Sequence, residues 1–145
     1  MRDSNQDDPV WVDKILDWKW TWLIARTAMV GLFVVSGVMK LIDFAEAKAQ
    51  MQAFGLHPTA FWAGLTIGVQ LGGSALIIFR RFVWLGAGAL AVFTALTAFL
   101  AYAFWTMQGE ARFLAMNGFL EHFALIGGFV MTALIAEHAK REGRY

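Results

Sequence analysis

From Trp20 to Ile42 the chain reads WTWLIARTAMVGLFVVSGVMKLI, an apolar run with only two charged residues, Arg26 and Lys40. At ~1.5 Å of rise per residue it is long enough to cross ~30 Å of hydrocarbon as a helix. Three further runs of the same kind follow: Phe61 to Ile78, Phe82 to Trp105 and Phe113 to Ile135. The four runs fill nearly the whole of the 145 residues, and a composition that is 59% hydrophobic and 16% charged agrees with them. A mean hydropathy of +0.54 leaves a soluble domain no polar face. The fold expected is therefore all-α, an integral membrane antiparallel four-helix bundle, because short connections force successive spans to run in opposite directions.

The charges predict the orientation. Arg2, Lys14, Lys19, Arg80, Arg81, Lys140, Arg141 and Arg144 fall on one side of the spans, and Lys40, Lys48 and Arg112 on the other. Under the positive-inside rule both termini are cytoplasmic. The tryptophans mark the same boundaries independently, with Trp18, Trp20, Trp22 and Trp84 at the inner interface and Trp62 and Trp105 at the outer one. The first run follows an acidic stretch (Asp3, Asp7, Asp8) and is too long for the apolar segment of a signal peptide, so it is expected to stay as a span.

Residues 1–19 read as a cytoplasmic segment containing a short amphipathic interfacial helix, with Asp8-Pro9 as its start and Val10, Trp11, Ile15 and Trp18 on its apolar side. Residues 20–136 form the four-span domain and 137–145 a cytoplasmic tail. Between spans one and two, Phe44, Ala47, Met51 and Phe54 recur helically before Gly55-Leu56-His57-Pro58 stops them, which predicts a short helix capping the outer end of the bundle. Span two carries Gly64, Gly68 and Gly72 on one face and Thr66, Gln70, Gly73 and Ser74 on another. Two small faces predict two helix neighbours, so span two is expected to be central.

No cysteine is present, which excludes disulfides, thioether haem attachment and thiolate iron–sulfur ligation within the chain. No metal-ligand cluster, phosphate-binding loop, dinucleotide fingerprint or catalytic triad is visible, so no cofactor is assigned by motif. A net charge of +1 carries no nucleic-acid signal. Site candidates are instead the polar groups at membrane depth, where a charge costs several kcal/mol unless paired or hydrated. These are Arg26, Lys40, Gln70 with Thr66, and Asn117, Glu121 and His122 on span four. Rise counted from the outer ends sets Gln70, Glu121 and His122 at similar depth, which predicts one polar pocket with Lys40 paired to Glu121. Arg26 lies too far below Lys40 to share it, and snorkelling to the inner interface is its simpler role. His122 admits a helix-to-helix hydrogen bond, proton exchange beside Glu121, or porphyrin ligation.

Leu23 to Arg26, Gly31 to Phe44 and Phe54 to Pro58, with Gln70-Leu71-Gly72-Gly73 and Phe119 to Gly128, resemble in order and spacing the blocks of the DoxX family of membrane proteins. Two positions depart from that pattern: Gln70 stands where the family often has glutamate, and Glu121-His122 where it often has Lys-Asn. The resemblance implies a four-helix protein of the inner membrane, with a quinone as ligand and a protein partner, since some members are described as the membrane subunit of a thiosulfate:quinone oxidoreductase. In one reading Glu121 and His122 are the catalytic, proton-handling groups, and Gln70, Thr66, Asn117, Lys40 and Arg26 bind the ligand. In the other the chain is a non-catalytic scaffold of a larger membrane complex or a homo-oligomer, recognised through its tryptophan-rich N-terminus.

Overall fold

A computed structural model describes residues 9–143. Arg2, Asp3, Asp7, Asp8 and Arg144, which enter the charge balance and the start of the first helix, lie outside the described residues. The described chain is helical from end to end: α1 (Val10–Leu16), α2 (Thr21–Ile42), α3 (Phe44–Ala53), α4 (Thr59–Ile78), α5 (Val83–Ala101), a 3-10 turn (Phe104–Thr106) and α6 (Gly109–Arg141). Four stretches, beginning at Thr21, Thr59, Val83 and Gly109, are long and apolar enough to cross a membrane. The large apolar side chains on their outer faces, such as Leu32, Val92 and Leu134, have no protein over them, as lipid-facing residues require.

The spans pack in the order α2, α4, α5, α6, with α3 laid against α4. This makes α4 central, as its small residues lead one to expect, but only one of its two stripes is used. Thr66, Gln70, Gly73 and Ser74 are buried, whereas Gly64, Gly68 and Gly72 are exposed and no atom lies within 4 Å of where a Cβ would sit on any of them. The expectation of a neighbour on that second stripe is corrected: α2, α3 and α5 all gather on the other side of α4. Where α4 meets α5 the backbones nearly touch, because both crossing residues are glycine: a Cβ on Gly86 would lie 2.6 Å from the carbonyl oxygen of Gly73.

Within the bundle, Val30, Phe33, Ile77, Val83, Ala87, Leu90, Phe129 and Ala136 form the core. The ring of Phe33 meets Phe129 edge-on at 5.4 Å and Phe93 at 6.3 Å, tying α2 to α5 and α6. Lipid is as apolar as these side chains, so close van der Waals packing holds the spans together. Two buried hydroxyls are satisfied along their own helices, Ser74 on the Gln70 carbonyl at 2.6 Å and Thr94 on that of Leu90 at 2.7 Å.

The connections follow their sequence signals. Asp43 caps α3, its carboxylate accepting from the Glu46 N–H at 2.9 Å, and Gly55 ends that segment with φ +71. Ala47 and Met51 then bury against Ala63, setting α3 over the N-terminal end of α4. At the opposite end, the α4–α5 turn places Arg80 (φ 61) and Phe82 (φ 53) in the left-handed region. The apolar run ending at Ile135 marks only part of α6, which continues to Arg141 through the charged residues beyond it. Ion pairs from Arg141 to Glu137 (3.3 Å) and from His138 to Glu142 (2.9 Å) line that extension.

Candidate functional site

Met29, Phe33, Ser36 and Lys40 recur at helical spacing along one face of α2. Met29 and Phe33 enter the packed interior; Ser36 and Lys40 carry polar groups into the half of the bundle nearer α3. Gly37, beside them, lets α4 come close, since a Cβ there would fall 2.8 Å from Leu71 Cδ2 and 3.3 Å from Gln70 Cβ. That approach brings the Gln70 side chain onto α2. Its Nε2 donates to Ser36 Oγ at 3.2 Å, and Lys40 Nζ donates to the same oxygen at 2.8 Å. Both lone pairs of the hydroxyl are then occupied.

The other end of the same amide is unsatisfied. Gln70 is 4% exposed, and its Oε1 is fully buried without a hydrogen-bond partner. Leaving such an acceptor unpaired costs about 1–3 kcal/mol, which a native bundle sheds unless the group has another use. One turn closer to α3, the Thr66 hydroxyl lies 4.0 Å from Met51 Sδ, so Thr66 ties α4 to α3 at the edge of the cluster. Lys40, Ser36 and Gln70 thus offer a cationic donor and a free acceptor within one small volume, a pairing that suits a ligand group able both to accept and to donate.

Span four does not close this cluster. Glu121 is exposed, and neither an ion pair nor a hydrogen bond reaches it among the described residues. The expected Lys40–Glu121 pair is therefore not formed, because the two carriers follow different neighbours: α2 packs on α4, and α6 packs on α5. Asn117, one turn from Glu121, is half-buried. His122 turns to the other flank of α6, where its Nδ1 donates to the Gly118 carbonyl at 2.8 Å and its ring lies 4.8 Å from that of Tyr102. A carbonyl can only accept, so Nδ1 carries a proton. A Cβ on Gly118 would collide with the Tyr102 ring, so that glycine is what admits the tyrosine.

Arg26 sits near the inner end of α2, its guanidinium 5.8 Å from the Trp22 ring and ~20 Å below Lys40, outside the cluster. The structure thus joins Lys40 and Gln70, sets Thr66 beside them, and separates Glu121, His122 and Arg26 from that group. Ser36, which bridges the two joined residues, is not among the candidates that sequence reasoning selects. Its signal there is slight: a hydroxyl one turn before the only lysine of span one, next to a glycine.

The DoxX family model matches residues 21–103, which include Ser36, Lys40, Thr66 and Gln70. The chain belongs to the DoxX family. Two curated relatives from Escherichia coli (strain K12) align with it over 112 residues, 77% of this chain. Inner membrane protein YphA is 26% identical over 80% of its own length, and inner membrane protein YqjF is 30% identical over 81%. No solved structure matches the chain. Of the candidate residues of this DoxX protein, Asn117, Glu121 and His122 lie on α6, beyond the segment the family model matches.

Proposed function

We propose that this DoxX-family protein is the membrane subunit of a quinone-linked redox system of the inner membrane, with both termini in the cytoplasm. The observation that carries the reading is the buried, unpartnered Oε1 of Gln70, on the amide whose Nε2 shares the Ser36 hydroxyl with the half-buried Lys40. A quinone carbonyl accepts from Lys40; after two electrons and two protons convert the ring to the quinol, its hydroxyl donates to Gln70 Oε1. The electrons come from a partner protein bearing a redox group, and the protons pass through side chains lining the ligand, of which Glu121 is the nearest carboxylate by depth. Apolar surroundings strengthen each of these hydrogen bonds.

The test is purification in mild detergent, organic extraction and quantification of quinone per chain. Stoichiometric quinone, lost in Gln70→Leu and Lys40→Met, supports the reading; no quinone in a folded protein overturns it. The second reading, a scaffold subunit, rests on α1, a seven-residue helix with no buried residue and an exposed Trp11. It predicts instead a stoichiometric protein partner, released when Trp11 is replaced by serine, with no quinone bound.

A further inference from the structure

The outer halves of α2 and α6 are held by different parts of the molecule. Above Phe33, α2 is fastened to α4 through Gly37 against Leu71 and through the Ser36–Gln70 bond. The outer half of α6 is fastened to α5 and the 3-10 turn, by Phe119 against Phe99 and Phe104 (both 5.4 Å) and by His122 against Tyr102. α2 and α6 meet lower down, where Met29 lies against Gly128 and Phe33 against Phe129. Beyond that junction no hydrogen bond or ion pair joins the two helices among the described residues.

The junction also sets the register. From Met29 to Ser36, and from Gly128 to Glu121, the antiparallel helices each climb about 10 Å; to Lys40 and to Asn117 each climbs about 16 Å. Ser36 is therefore level with Glu121, and Lys40 with Asn117. On helical spacing Ser36 and Lys40 continue the Met29–Phe33 face, and Asn117 and Glu121 continue the Gly128 face, so the two polar pairs stand on opposite walls. The two levels are ~6 Å apart, comparable with two oxygens para to one another on a six-membered ring. Phe33 and Phe129 form an apolar floor. Ser36 lies only ~9 Å below the outer end of α2, too deep for the short side chain of Glu121 to reach the interface.

We propose that α2 and α6 bound a cleft open sideways to the lipid, which admits a membrane-soluble ring carrying two para oxygens, one on the Lys40–Asn117 level and one on the Ser36–Glu121 level. This rests on the quinone reading above and adds to it a second wall and a route of entry from the bilayer. The Gln70 amide backs the Ser36 side of the cleft through its Nε2–Ser36 bond, and the exposed, unpaired Glu121 gains its hydrogen-bond donor from the reduced ring.

The experiment uses the full chain in phosphatidylcholine nanodiscs with a short-chain azido-ubiquinone, measuring saturable photolabelling and mapping adducts by mass spectrometry. Adducts confined to residues 32–40 and 114–125, competed by unlabelled ubiquinone and weakened roughly tenfold or more in apparent affinity by Glu121→Leu, support the cleft. Glu121 is exposed, so its substitution leaves the fold intact; Glu110→Gln, at the start of α6, is the control expected to bind normally. Saturable labelling that maps to the groove of Trp84, Ala91 and Leu134, or that is indifferent to Glu121→Leu, overturns the cleft and leaves the quinone reading standing. Absence of saturable labelling overturns both.

Discussion

Substituting alanine at Gly86 tests the α4–α5 crossing directly. The added Cβ would sit 2.6 Å from the Gly73 carbonyl oxygen, 2.9 Å from Leu76 Cβ and 3.3 Å from Ile77 Cγ1, where ordinary contact begins at 3.4 Å. The helices must part by about 0.8 Å or bend. Overpacking of that kind costs about 1–3 kcal/mol. Against it stands the gain of up to ~1 kcal/mol that alanine brings over glycine in any helix. Gly88→Ala supplies the comparison: Gly88 lies on the same helix, exposed, with nothing within 4 Å of its Cβ position. The two variants share the propensity gain and differ only in packing, so Gly86→Ala should be the less stable by about 1–3 kcal/mol. At ~2–4 °C per kcal/mol this is several degrees between their thermal midpoints in one detergent. Equal midpoints would refute a crossing in which Gly73 and Gly86 touch.

Gln70→Leu removes the unpartnered acceptor and, with it, the Nε2–Ser36 bond at nearly constant volume, so the relief of about 1–3 kcal/mol and the loss of about 1 kcal/mol largely offset, and thermal stability should stay within about 1 kcal/mol while quinone retention is abolished; a loss of more than about 2 kcal/mol would mean that Oε1 is already satisfied. Gly118→Ala, whose methyl collides with the Tyr102 ring, should lower the thermal midpoint and release that ring from His122, visible as a shift of the His122 side-chain resonance in NMR; an unchanged resonance would count against the stacked pair. In the cysteine-free chain, Gln108→Cys should react with an impermeant maleimide added to intact cells and Glu142→Cys only after permeabilisation, and the reverse pattern would invert the proposed orientation.

The existence of the spans and the bounds of α3 are legible in the amino-acid sequence because hydrocarbon thickness, caps and turn residues act locally: Asp43 caps α3 and Gly55 ends it as their chemistry demands, whereas α6 runs past its apolar stretch to Arg141. Depth is legible too, since rise per residue is constant. Direction around the helix axis is not. Glu121 and Gln70 lie at similar depth in the bundle, but whether they meet depends on the order of packing, and α6 follows α5 rather than α2. The same blindness affects Gly64, Gly68 and Gly72, whose spacing shows a face on which a helix fits without showing that one lies there. Ser36 is inconspicuous because a lone hydroxyl in a span usually bonds its own backbone, as Ser74 and Thr94 do. Lys40 reaches it from one turn along the same helix, and the approach permitted by Gly37 adds Gln70 from α4.

α6 is one unbroken helix of 33 residues, about 50 Å long, resting on α2 near Gly128. It is held along its length by α5 and the 3-10 turn, so it is not free to pivot on that contact. Only about 20 of its residues are needed to cross ~30 Å of hydrocarbon, so the charged turn from Glu137 to Arg141 leaves the bilayer as ordered helix rather than as loose chain. Whatever meets the membrane surface there meets a rigid post whose side chains keep fixed positions around the axis.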